Sequence, residues 1–593
     1  MKKIFGRVLF WIITFILFDI LIAGAIAVGS KALANPAAVF EVFTNYEYFH
    51  RFLSYQGLYI LIFAIFIGYA YKPGESQSNN DSCGSARWAK PNETKSLLNA
   101  ENGIILGSRT FLSMDAPINK NILIIGSSGA GKSRGYIKPN VMQMNGSYII
   151  TDPKGEIFDD TYKYLEANDY SVKVLNLVNL QTSDFYNPLE YAATQQDIQI
   201  LARTIIDNTS GSSLGIENDS FWSSSELALL TALITYVKNE YPKARRNLAG
   251  VFKLLLTASN EDKLDELFFK LPEDNPALNA YKVFCLSGDP KTRGNIMIGL
   301  GIRLQVLQNG EIARLTSADS MKLTDIGSKK TVVYIITSDT HRTFDFISSM
   351  LFSQMFQVMY SQADKYGGRL PLPVICLLDE FSNIGKIPDF STKVASMRSR
   401  DISVSIAVQS LAQLKAGYFK EWSDIVGNCD TLLFLGSQDI ETARYISERL
   451  GKATVANKSK AVSVNLKDGS RNSKSENEGK TGRPLLTPDE VTRLEPDNSI
   501  IFLKGIYPIK AQKYKLEKHK SFNQLERADH NFYRTAFTPD EIVLKETPLE
   551  KNTEETQKKV INLQQNKTKT AKKRETAMYE NMSIFENADL RGN

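Results

Sequence analysis

Residues 126–133 read GSSGAGKS and follow the apolar run Asn121-Ile-Leu-Ile-Ile125. The stretch fits G-x-x-x-x-G-K-[ST] between a strand-like run and a helix expected over 134–145. A loop of this kind turns backbone amides inward around a phosphate, which needs glycines free to adopt positive φ at the positive end of a helix. Gly126, Ser127, Ser128, Gly129, Ala130, Gly131, Lys132 and Ser133 are therefore the candidate phosphate cradle. Lys132 would reach the β- and γ-phosphate oxygens of ATP, and the Ser133 hydroxyl would be a ligand of Mg²⁺. The competing reading is a Gly/Ser-rich surface turn, against which the flanking strand and helix signals speak.

The rest of the chain must then supply the second half of a nucleotide site. Short β-rich runs recur at 148–152, 331–336, 374–378, 402–408, 431–435 and 500–503. Most are apolar on both faces, as expected for a parallel sheet covered by helices on each side. Residues 374–381, VICLLDEF, end such a run in two carboxylates. Asp379 is the candidate metal ligand beside Ser133, and Glu380 the candidate general base. Downstream, ASMRSR (395–400) precedes the next run, which ends at Gln409-Ser410. An arginine there can act on a γ-phosphate bound by a neighbouring subunit, and Gln409 can orient water or sense that phosphate; from spacing alone, structural roles for both stay open.

Between about 187 and 325 no strand run stands out, and helical periodicity replaces it. The expected fold is α/β: a P-loop core over 76–186 and 326–515, interrupted by an all-alpha insertion over 187–325. A charged, flexible tail is expected over 516–593, disordered or loosely helical from about 547 to 574.

Two apolar runs, 8–28 and 52–71, are each long enough to cross a bilayer, giving a two-helix anchor within 1–75. Lys2, Lys3 and Arg7 before the first, with Lys72, Arg87 and Lys90 after the second, put both ends in the cytoplasm and 30–51 outside. The alternative, a signal peptide cleaved after Ala34, fits less well because the run exceeds an h-region and a second span follows. Asp19 lies within the first run, and the sequence does not choose between a functional carboxylate and a helix contact.

The 593 residues carry 71 Lys+Arg against 65 Asp+Glu, so any basic surface must be local. Residues 452–483 hold eight Lys/Arg against three Asp/Glu, a net of +5, and read as a DNA-facing loop or a flexible surface loop. Four scattered cysteines and four scattered histidines argue against a zinc site or disulfide framework.

Taken with GSARWA (84–89), TDPKGE (151–156), DSFW with Glu226, LLDEF (377–381), Gln409-Ser410 and GRPLLTPDEV (482–491), the chain resembles the coupling proteins of type IV secretion and conjugation, the TraG/TraD-like branch of hexameric P-loop motors. The resemblance spans 84–491. It implies a RecA/FtsK-like core and a membrane-anchored, multi-pass homo-hexamer with its ATPase part in the cytoplasm. The implied partners are single-stranded DNA with relaxase and relaxosome proteins, and the secretion channel. It also favours Arg398 over Arg400 as the arginine given in trans, and brings Asp152 and Lys154 near the nucleotide. The same motifs leave open a receptor that exports protein effectors without pumping DNA. An ABC-type transporter is disfavoured, since the nearest approach to its signature, LSGDP (286–290), lacks the final Gly-Gln and comes too early.

Overall fold

The computed structural model describes residues 21, 24–54, 83–99, 101–209, 220–258, 261–338, 343–464 and 471–538. Both expected membrane spans fall largely outside these residues, and among the described residues no helix is long and apolar enough to cross a membrane. The chain divides into two units, residues 1–85 with 452–483, and residues 86–451 with 484–593.

In the larger unit, three short strands come first: β1 (Leu98–Asn99), β2 (Ile104–Gly107) and β3 (Thr110–Leu112). The main sheet is built from β4 (Ile122–Gly126), β5 (Ser147–Thr151), β6 (Ser171–Asn176), β7 (Thr331–Ile336), β8 (Val374–Leu378), β9 (Ile402–Val408) and β10 (Thr431–Gly436). In the smaller unit β11 (Lys452–Val464) pairs with β12 (Arg471–Pro484), after which β13 (Asn498–Leu503) and β14 (Ile509–Gln512) return to the main sheet.

The nine strands lie in the order β14-β13-β10-β4-β9-β8-β5-β7-β6. From β10 to β6 every pairing is parallel, whereas β13 runs antiparallel to β10 and to β14. Each β-rich run read from the sequence is a strand, displaced by two residues at most. Those runs have no polar face because alternate residues enter two separate cores. Leu123, Ile125, Ile149, Val333 and Ile335 join one core; Ile122, Ile124, Tyr148, Ile150, Val332 and Tyr334 join the other. Each such side chain contributes about 1.5–3 kcal/mol on burial.

Among the described residues between β6 and β7 there are helices but no strand. The longest, Gln195–Thr209 and Ser220–Glu240, bury their apolar positions in the same core as Leu123 and Ile125. The helical stretch therefore shares one continuous core with that face of the sheet. An ion pair from the half-buried Arg303 Nε to the buried Glu226 Oε2, at 2.6 Å, joins two of its helices.

Beyond Lys515 the chain packs on the opposite core. Leu516 is buried there, His530 donates its backbone N–H to Asp159 at 2.8 Å, and Tyr533 donates its hydroxyl to Asp184 at 2.8 Å.

In the smaller unit, β11 and β12 form a β-ribbon where a loop was expected over 452–483. Its base pairs with the segment 83–85, through the bridge Ser85–Ala453 and a bond from Thr454 N–H to the Gly84 carbonyl at 3.0 Å. Gly84 has φ +142, and a Cβ there would meet the Lys452 carbonyl oxygen at 2.1 Å; a Cβ on Gly482 would meet that of Cys83 at 2.7 Å. The glycines of GSARWA and GRPLLTPDEV thus serve one close backbone approach.

Candidate nucleotide site

Parallel α/β sheets place their ligands beyond the carboxyl ends of the strands, and there the candidate residues gather. The loop leaving β4 turns through Gly129 (φ +76) and Gly131 (φ +94), conformations that a side chain would strain. Ser127 N–H is held by the Gly436 carbonyl at the end of β10, 2.9 Å away. The helix that follows opens as a π-turn over Lys132–Ile137 before the α-helix Lys138–Met142. Pro139 has no N–H and its ring would crowd the carbonyl four residues back, which the wider turn relieves. Tyr136 and Ser405 share a hydroxyl hydrogen bond of 2.8 Å that ties this helix to β9.

Lys132 is buried and folds its ammonium onto the loop carbonyls of Gly126 (2.9 Å) and Ser127 (3.4 Å). Ser133 donates its hydroxyl to Asp379 Oδ2 at 2.5 Å, bringing together two residues 246 positions apart in the chain. Asp379 is 4 % exposed, its Oδ1 accepts the Glu380 N–H at 3.0 Å, and Thr151 donates its hydroxyl to the Asp379 carbonyl at 2.7 Å. Burial raises the Asp379 pKa, opposed by the Ser133 hydrogen bond and the Lys132 charge. A hydroxyl and a carboxylate meeting in this way beside a lysine form an oxygen donor set that suits Mg²⁺.

Glu380 sits at φ +46, a left-handed conformation uncommon for a glutamate. Its Oε2 accepts from Asn383 Nδ2 at 3.1 Å and its Oε1 from Gln409 Nε2 at 3.3 Å. The strand order accounts for the second contact, because β9 runs between β4 and β8 and ends at the junction of their two motifs. Asn383 was not read from the sequence, and Thr151 only within the run 148–152 and as the first residue of TDPKGE. Asn383 follows Glu380 by one short turn, a spacing that could have drawn notice, whereas nothing in the sequence links Thr151 to Asp379.

Asp152 follows β5 and is 2 % exposed. Its Oδ2 accepts the N–H groups of Ile157 (2.9 Å) and Phe158 (2.8 Å), capping the helix Glu156–Glu166. Burial pushes its pKa up to about 7, against the pull of those two bonds. Lys154 lines a separate cleft of about 650 Å³ with Thr337, Phe344 and His530.

Arg398 is not brought to this site. It precedes β9, whereas Gln409 follows it, so a seven-residue strand, roughly 20 Å long, separates them. Its guanidinium donates to the Pro117 carbonyl at 2.8 Å and is exposed. Arg400 lies over the Tyr360 ring at 4.6 Å and pairs with Asp364 at 3.5 Å, a structural setting.

The fold and this geometry define a P-loop α/β protein with an acidic strand end. Residues 79–538 match the family described as type IV secretory system conjugative DNA transfer, and the chain belongs to it. It is a coupling protein of conjugative DNA transfer by type IV secretion. Among relatives, it is 23 % identical over 510 residues to Protein VirD4 of Rhizobium radiobacter, covering 82 % of this chain and 72 % of that protein. It is 24 % identical over 473 residues to the conjugal transfer protein TraG of Escherichia coli, covering 71 % and 72 %. The plasmid coupling protein TrwB, solved in complex with ADP and Mg²⁺, shares the fold at a TM-score of 0.56 and 14 % identity, over 76 % of this chain and 97 % of that one.

Proposed function

We propose that this coupling protein is a membrane-anchored ATPase that hydrolyses ATP between the subunits of a homo-hexameric ring to drive a relaxase-bound DNA strand into the secretion channel. The observation that carries the reading is the 2.5 Å contact between Ser133 and Asp379, the hydroxyl and carboxylate that a P-loop site uses around its metal. In this reading residues 126–133 cradle the phosphates, Lys132 bears on the β- and γ-phosphates, and Ser133 with Asp379 holds Mg²⁺. The metal, when bound, neutralises charge on the phosphate oxygens. Glu380 accepts a proton from the attacking water, Gln409 orients it, and Arg398 serves the nucleotide of a neighbouring subunit.

A ring is supported by the position of Arg398, exposed and a strand's length from its own P-loop. A membrane anchor is supported by the apolar runs 8–28 and 52–71 with their flanking Lys and Arg, which would leave the nucleotide site cytoplasmic. The full chain in detergent should hydrolyse ATP faster with single-stranded DNA, and Lys132→Ala and Glu380→Gln should each lower kcat at least ~100-fold. Hydrolysis indifferent to DNA would move the reading to a receptor for protein effectors.

A further inference from the structure

We propose that Asn383 and Asn208 are positioning residues that join the helix Gln195–Thr209 to the general base, so that Glu380 is restrained until that helix shifts. The inference rests on the proposed role of Glu380, and goes beyond it by naming what holds that carboxylate and what could release it.

Both Glu380 carboxylate oxygens are engaged by amide donors, Asn383 on Oε2 and Gln409 on Oε1. Each bond takes one lone pair of its oxygen, and the two together fix the orientation of the carboxylate. Asn383 belongs to the short segment from Glu380 to Lys386, whose far end is gripped by one residue of the helix Gln195–Thr209. Asn208 Oδ1 accepts the Lys386 N–H at 2.9 Å, and Asn208 Nδ2 donates to the Lys386 carbonyl at 3.0 Å. A side-chain amide that bonds both polar groups of one residue fixes that backbone in position and orientation.

Two further bonds fasten the segment to the helix Asp345–Lys365: Ser348 donates to the Ile384 carbonyl at 2.9 Å and Ser349 to that of Lys386. Asn208 Nδ2 also reaches Ser349 Oγ at 3.0 Å, so the two grips are joined. Between them Gly385 has φ +77, and a Cβ there would stand 2.8 Å from the Asp345 carbonyl oxygen and 3.0 Å from Asn208 Oδ1. The segment is thus clasped without slack, and a shift of the helix Gln195–Thr209 must be felt at Asn383. That helix packs both on the helix Ser220–Glu240 and on the helix Asp345–Lys365, so it lies between the rest of the helical stretch and the clasped segment.

The test is steady-state ATP hydrolysis by the full chain in detergent, with and without a single-stranded oligonucleotide, for wild type, Asn383→Ala, Asn208→Ala, Asn208→Asp and Glu380→Gln. Asn383→Ala should raise the rate without DNA and reduce the ratio of stimulated to basal kcat at least about fivefold, with KM for ATP within about twofold of wild type. Asn208→Ala should reduce the same ratio. Asn208→Asp, which keeps the acceptor for the Lys386 N–H and loses the donor, should lie between and covers the case in which the alanine variant does not fold. Wild-type ratios in folded Asn383→Ala and Asn208→Asp, with Glu380→Gln inactive, would overturn the coupling and leave the base assignment standing. Full turnover by Glu380→Gln would instead remove the base assignment, and the coupling with it.

Discussion

Asp152 shows how one buried carboxyl can hold the start of a helix at a cost to the fold. Its two bonds to Ile157 and Phe158 hold the start of a helix, yet burial lifts its pKa from 3.8 to about 7. An acid with a raised pKa binds its proton more tightly in the folded chain than in the unfolded one. The folded state therefore gains relative stability as pH falls from about 7 towards 4, and bears the full cost of the ionised form above about 7. Asp319, raised to about 6 mainly by burial, acts in the same direction over a narrower window. Asp152→Asn keeps an acceptor for the helix and removes the charge. Its unfolding midpoint should exceed that of wild type by a few degrees at pH 8, with the advantage shrinking towards pH 5; thermal melts at the two pH values check this.

At the scale of elements, the antiparallel β13 and the edge strand β6 show where patterning stops being informative. The apolar IIFL of β13 looks like its parallel neighbours, and only its pairing with β10 reveals its direction. Ser171–Asn176 was not read as a strand because it is an edge, half-buried at Ser171, Val172 and Lys173 and buried only from Val174 on. The ribbon of β11 and β12 was read as a loop because its polar composition does not announce a strand, and cross-strand backbone bonding needs no apolar face. Its base depends on Gly84 and Gly482. Gly84→Ala should separate the segment 83–85 from Lys452 and speed proteolysis within 452–483, while nucleotide binding by the larger unit persists; limited proteolysis with a nucleotide-binding assay on the same sample reads both. The strap beyond Lys515 can be tested in the same spirit. Tyr533→Phe removes the hydroxyl bond to a buried carboxylate and should cost about 1.5–3 kcal/mol in denaturant unfolding.

For the whole molecule, the decisive question is whether one chain holds a complete nucleotide site. Arg398 lies at the amino-terminal end of β9 while the P-loop, Asp379, Glu380 and Gln409 lie at the carboxyl ends of β4, β8 and β9. In the proposed ring, a subunit with Arg398→Ala keeps a normal P-loop and fails to serve its neighbour. A subunit with Lys132→Ala has the converse defect. Each variant alone should lose at least ~100-fold in kcat. Mixed rings of the two should recover part of the activity, because some interfaces then carry both intact halves; ATPase assays of co-assembled against separately purified variants measure this. No recovery on mixing would place the arginine's function elsewhere.

The apolar runs, the glycine-rich loop and the acidic strand end were legible because their chemistry is local: a buried parallel strand must be apolar on both faces, and a phosphate loop needs glycine where φ is positive. They sufficed for the α/β core; the resemblance to the family needed GSARWA, TDPKGE and GRPLLTPDEV as well. What required the folded chain was every relation across sequence distance. The insertion of β9 between β4 and β8, which puts Gln409 on Glu380, follows from strand order, and no residue spacing encodes strand order. The same holds for Thr151 beneath Asp379, for Asn208 on Lys386, and for the remoteness of Arg398 from its own phosphate loop. Such contacts are set by how packed layers meet, and a single sequence records the layers more plainly than their meeting.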